Sequence, residues 1–141
     1  TIMLFPKKVK FRKWHKTRNG LAKRHNDTRG ITIAFGAFGV MAASPARIRS
    51  NHIEAARRVI SRTLGKNGRI WIRVFPDRPW TQKAAEVPMG KGKGDAQGFE
   101  VEVLPGRILF EVDGVTAEVA KEAMRKAGAK LPLKTKFVER V

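Results

Sequence analysis

The chain has 141 residues, with 30 Lys or Arg against 12 Asp or Glu, a net charge of +18 with His neutral. That length suits one domain with a real core, but so large a surplus opposes compaction unless a polyanion neutralises it. No apolar run approaches the ~20 residues of a spanning helix, and the lack of Cys excludes disulfides and thiolate metal sites, so nucleic acid comes before membrane as the partner.

Residues 1–29 hold ten cations (Lys7, Lys8, Lys10, Arg12, Lys13, Lys16, Arg18, Lys23, Arg24 and Arg29) against one acid, Asp27, which puts +9, half the total, in this segment. Too few apolar side chains accompany them to fold it alone. It reads as an extended basic arm, 1–29, that orders on a partner and precedes a globular body, 30–141. A disordered solubilising tail is the alternative. Against that stand Phe5, Phe11 and Trp14, interleaved with the charges and able to stack on bases or dock on the body. No secretory signal is visible. The opening on Thr1 fits trimming of an initiator Met or loss of an organellar presequence.

Residues 31–42, ITIAFGAFGVMA, predict a strand with a bend or bulge near Gly36 or Gly39. SPARIRS then reads as a turn-rich connector. A helix is expected over 52–64, with Asn51 as N-cap and Glu54 three residues on. Ile53, Ala56, Ile60 and Leu64 share its apolar face, with Arg58 and Arg62 opposite. Residues 69–75, RIWIRVF, alternate: Ile70, Ile72 and Val74 read as core. Arg69, Trp71, Arg73 and Phe75 form either a basic–aromatic stripe suited to stacking and phosphate contact or a second buried face with arginines lying along it. Pro76 and Pro79 should stop the strand.

Residues 86–98, EVPMGKGKGDAQG, predict a glycine-rich loop. Strands around Phe99–Val103 and Ile108–Val112 follow, joined as a hairpin by a type II turn at Pro105-Gly106. A second helix is expected over 117–127, capped by Thr116 and stopped by Gly128, with Val119, Ala120, Ala123, Met124 and Ala127 as its apolar face. Pro132 precedes a terminal strand over 135–138. The expected class is α+β: a mixed, mainly antiparallel sheet with two helices packed on it, plus the arm.

In Met89-Gly90-Lys91-Gly92-Lys93, glycines let the backbone approach a ligand closely and the lysines supply charge, which suits a phosphate backbone; a flexible turn fits as well. The spacing is neither a Walker loop nor a dinucleotide fingerprint. His15, His25 and His52 have no metal spacing, and no nucleophile–base arrangement stands out. The residues therefore point away from an enzyme, a metal or a cofactor. Nucleic-acid binding leaves open a free-standing nucleic-acid chaperone or DNA-compacting protein and, less favoured, an enzyme holding a nucleotide on the glycine loop.

The stretches Pro6-Lys7-Lys8 through KFRKWHK, IAFGAFGV, IEAARR, KNGRIWIRVFPDRP, MGKGKG, PGRILFEVDGV and AKLPLKTKFV occur in this order over nearly the whole chain. In them the chain resembles the large-subunit ribosomal protein sixteen family of bacteria and organelles. The resemblance implies an α+β protein set among large-subunit rRNA segments near the central protuberance, helping to shape the aminoacyl-tRNA site beside the peptidyl-transferase centre. It implies rRNA contacts at Lys7, Lys8, Lys10, Arg12, Lys13 and Lys16 of the arm, and at Arg57, Arg58, Arg69 and Arg73 of the body. It makes Met89, Gly90, Lys91, Gly92 and Lys93 the loop nearest tRNA. Implied partners are rRNA, aminoacyl-site tRNA and neighbouring large-subunit proteins, with neither a membrane nor a homo-oligomer, on the cytoplasmic ribosome of a bacterium or alternatively an organellar one. The chain departs from the family at Pro88, where Arg is usual: a charged contact is lost and the approach to the loop stiffens. It departs again over 19–27.

Overall fold

A computed structural model of the chain describes residues 6–7, 26–82 and 95–140, with backbone alone at 81–82 and 95–97. The elements run β1 (Phe38–Ala42), β2 (Ala46–Arg49), α1 (Ser50–Leu64), β3 (Arg69–Ile72), β4 (Arg78–Gln82), β5 (Asp95–Val103), β6 (Ile108–Asp113), α2 (Ala117–Gly128) and β7 (Thr135–Glu139). The α+β class holds. The single expected sheet, however, is two: a four-stranded sheet in the order β3-β6-β1-β7 and a three-stranded sheet in the order β2-β5-β4. Every strand pair is antiparallel.

The helices form for the reasons their patterns give. Ile53, Ala56, Ile60 and Leu64 of α1 are buried, as are Ala120, Ala123, Met124 and Ala127 of α2. The two faces meet over the larger sheet, with Val40, Phe110 and Val112 beneath them in one core. The alanine-rich face lets α2 pack closely. Val119, expected on that face, is 37% exposed. Thr116 caps α2 as expected, its Oγ accepting from the Val119 N–H at 3.5 Å.

The start of α1 differs from expectation. The helix begins at Ser50, behind Arg49, whose N–H donates to His52 Nδ1 at 3.2 Å. Asn51 Oδ1 accepts from the N–H of its neighbour His52 at 3.0 Å. Glu54 is drawn instead to the arginines one turn on, a stronger partner than a helix N–H.

The expected hairpin between Phe99–Val103 and Ile108–Val112 is absent: β5 and β6 lie in different sheets. The turn itself is as expected, with Gly106 at φ 100° and the Arg107 N–H donating to Leu104 O at 3.3 Å. Its other backbone groups are claimed elsewhere. Gly106 N–H donates to Ala42 O at 2.8 Å, Ala42 N–H to Arg107 O at 2.8 Å, Asp27 N–H to Pro105 O at 2.9 Å and Ile108 N–H to Gly30 O at 2.7 Å. With those partners taken, the turn hands the chain from one sheet to the other.

Smaller departures follow the same sheets. Residues 46–49 form β2 rather than a connector, paired along β5. β5 starts at Asp95, inside the expected loop 86–98. Pro79 lies within β4, which is tolerated because β4 is an edge strand. In 31–42 only Phe38–Ala42 is strand; the expected irregularity is present as a bend over 35–37 and a register shift between Val40 and Met41, just past Gly39.

Candidate nucleic-acid interface

The segment 31–37 is held against the larger sheet by one carboxylate. In the central strand β6, Phe110 and Val112 face the core, and alternation turns Glu111 the other way. Glu111 is nevertheless wholly buried. Its Oε1 accepts from three successive backbone N–H groups, of Ala34 (3.0 Å), Phe35 (2.8 Å) and Gly36 (2.9 Å). Its Oε2 is paired with Arg73 Nη1. Burial pushes the carboxyl up, but the Gly36 N–H, the Arg73 guanidinium and the Phe35 N–H outweigh it and hold the group below its usual 4.5.

Gly36 makes this bracket possible. A Cβ there would lie 2.5 Å from Val112 O and 3.2 Å from Trp71 Cζ3, so only a residue without a side chain lets 34–36 reach the strand. Its role is close approach, at the bend over 35–37 that its position suggested.

The bracket also fixes Phe35. Its ring stacks on Trp71 with centroids 6.2 Å apart and planes 19° apart, and the Arg73 guanidinium carbon sits 5.2 Å from its centroid. The two readings of RIWIRVF are therefore both partly met. Trp71 and Arg73 are half-buried beneath 31–37, while Arg69 and Phe75 stand exposed.

The other expected contacts fall into four groups. Lys7 is exposed. Lys8, Lys10, Arg12, Lys13, Lys16 and the loop residues Met89, Gly90, Lys91, Gly92 and Lys93, with Pro88, lie outside the described residues. Arg57 and Arg58 come together on α1 around Glu54. Arg57 Nε donates to Oε2 at 3.1 Å and its Nη2 to Oε1 at 2.5 Å, while Arg58 Nε is 3.4 Å from Oε1. One carboxylate thus serves two guanidiniums and leaves net positive charge. Arg69, opposite Asp113 at the edge of the larger sheet, is not brought to the α1 pair.

Several cations escaped the sequence reading. Arg49 lies 3.8 Å over the Trp80 ring, a cross-strand meeting that needed the unseen β2 and β4. Lys134, just before β7, and Lys136, within it, are exposed; their alternation with Thr135 and Phe137 was the available signal. Arg140 donates from Nη2 to Ala34 O at 2.8 Å. In the smaller sheet, by contrast, Arg47 is tied to Glu102 at 3.3 Å and Arg78 is paired with the same carboxylate. No helix among the described residues is long and apolar enough to cross a membrane.

A family model described as ribosomal protein L16p/L10e matches residues 6–138. Curated relatives named large ribosomal subunit protein uL16 align over almost the whole chain. That of Nitrobacter hamburgensis is 54% identical over 140 residues, 99% of this chain and 98% of that protein. That of Parvibaculum lavamentivorans is 55% identical over 139 residues, 98% of this chain and 96% of that protein. That of Gluconobacter oxydans is 54% identical over 140 residues, with the coverage of the first.

Proposed function

This chain belongs to the ribosomal protein L16p/L10e family, whose members are structural, non-enzymatic ribosome components, and we propose that it binds large-subunit rRNA and helps shape the aminoacyl-tRNA site of a bacterial ribosome. The observation that carries the reading is the full-length likeness to bacterial proteins named for the large subunit, and the net charge of +18 supplies its physical basis.

The mechanism is electrostatic and positional. Lysines and arginines replace the counterions on rRNA phosphates, and release of those ions drives binding. In the arm, Lys7, Lys8, Lys10, Arg12, Lys13 and Lys16 do this. On the body, Arg57 and Arg58 are held in place by Glu54 and Arg73 by Glu111. Such pre-set guanidiniums lose little freedom on meeting a phosphate. Arg69 adds an exposed contact at the sheet edge. The loop Met89, Gly90, Lys91, Gly92 and Lys93 approaches aminoacyl-site tRNA. The protein acts as a single copy among neighbouring large-subunit proteins, and the peptide-bond chemistry is left to RNA.

Sedimentation tests the reading directly. The tagged chain should co-sediment with large subunits of a bacterial host and stay through a high-salt wash. Cross-links should join the arm and Arg57, Arg58, Arg69 and Arg73 to rRNA, and the glycine loop to tRNA. Release by the wash, or cross-links scattered over unrelated RNA and DNA, would instead identify a free chaperone.

A further inference from the structure

Resting on that ribosomal reading, we propose that Phe35, held out by the Glu111 bracket, is a stacking platform for an unpaired nucleobase of the bound RNA. Phe35 is 57% exposed, more than Ile31, Phe75 or Val119. Yet its backbone is among the best fixed in the segment, because its own N–H and those on either side all donate to one buried carboxylate. A large apolar ring on a fixed, solvent-facing backbone has the features of a recognition surface.

Its surroundings select the ligand. One neighbour of Phe35 is already an aromatic ring, Trp71, lying nearly parallel, and a nucleobase would extend that array. Guanidiniums flank it. Arg73 lies 5.2 Å from the ring centroid, and Arg140 is bonded to the carbonyl of Ala34, next in the chain. Those cations meet the phosphates on either side of a base seated on the ring. The acid of the cluster, Glu111, is buried and paired, so it presents no negative charge to the RNA. A paired stem hides its base faces and offers chiefly phosphates and 2′-hydroxyls, which an exposed ring cannot use. The chemistry therefore calls for a bulged or looped-out base.

Large subunits carrying the full chain are irradiated with short-wave ultraviolet light and the protein is mapped by mass spectrometry. A nucleotide adduct on Phe35 is expected. A parallel titration compares an RNA hairpin with one bulged purine against the same stem fully paired. The wild-type chain should favour the bulge about fivefold or more. Phe35→Leu should erase that preference while leaving the affinity for the paired stem and its salt slope unchanged, and Phe35→Trp should restore it. Subunits that hold the chain and give RNA adducts elsewhere, with Phe35 unmodified or joined to a protein, overturn the stacking role alone. So does a bulge preference that survives in Phe35→Leu. A chain that never enters large subunits overturns the ribosomal reading, and the stacking role with it.

Discussion

Glu54 on α1 and Glu122 on α2 look interchangeable in the sequence: each stands three residues before an arginine and four before a second cation. Their hydrogen bonds are nearly the same. Arg57 reaches Glu54 at 3.1 and 2.5 Å, and Arg125 reaches Glu122 at 3.1 and 2.6 Å. The arginine hydrogen bond is the main cause that holds each carboxyl below its usual value. They differ in water. The Glu54 side chain is 5% exposed and that of Glu122 is 48% exposed. Distance alone therefore does not set what an ion pair contributes; the solvent around it does. An exposed pair is screened and easily replaced by water, whereas a buried carboxylate that loses its cation has nothing equivalent to turn to.

Glu111 carries that comparison to its limit, and the largest effect is expected there. Glu111→Ala strands the Gly36 N–H in a buried position, frees 31–37 from the sheet and leaves Arg73 without its counter-charge. Unfolding in urea should show a loss of about 3 kcal/mol. Glu111→Gln should lose less, since an amide oxygen can still accept from the three N–H groups. If Glu111→Ala stays within about 1 kcal/mol of wild type, burial is not what gives these carboxylates their weight.

The Glu54 pair comes next. Arg57→Ala combined with Arg58→Ala leaves a buried carboxylate without either cation, and a loss of about 1–2 kcal/mol is expected, allowing for the solvent that reaches both arginines. Its pH dependence carries a definite sign. Glu54 titrates below 4.5 in the folded chain, so its contribution is complete above that value and disappears as the pH falls through the lowered one. Removing both arginines raises the folded value. The part of the acid limb that Glu54 supplies should then shrink, because the stability lost on acidification scales with how far the folded value lies below the unfolded one. An unchanged limb would mean that the pair is already dispensable.

Much of this contrast could not be read in advance, and the reason is physical. Local patterns were legible: the apolar faces of α1 and α2, the Thr116 cap and the turn at Gly106 all depend on residues a few positions apart. So did the family-bearing stretches. What failed was non-local. The split into two sheets rests on the hydrogen bonds of residues 27–30 and Ala42 to the turn at 104–108. β2 and β4 were hidden because they exist only as neighbours of β5. The Glu111 bracket joins residues more than seventy positions apart; nothing in ILFEVD marks its acid as buried, and an alternating strand ordinarily turns such a residue to water. Arg73 was legible as a cation on a striped face, but its counter-charge and the exposed ring beside it were not.

The smallest effect is expected at α2, and it is the most useful control. Arg125→Ala combined with Lys126→Ala removes the same two positive charges from the same surplus as the α1 double variant. Any general relief of self-repulsion is therefore shared between the two and cancels in their difference. What remains is the difference in burial, less the small helix-end contribution of Arg125 and Lys126 in the last turn of α2. Because Glu122, about half exposed, can exchange its cations for water, the urea midpoint should not move resolvably, nor should its acid limb. Urea is the denaturant to use, since a salt would screen the charges under comparison. A loss at α2 equal to that at α1 would show that the short hydrogen bonds common to both helices, rather than the exclusion of water from one, determine what the pairs contribute.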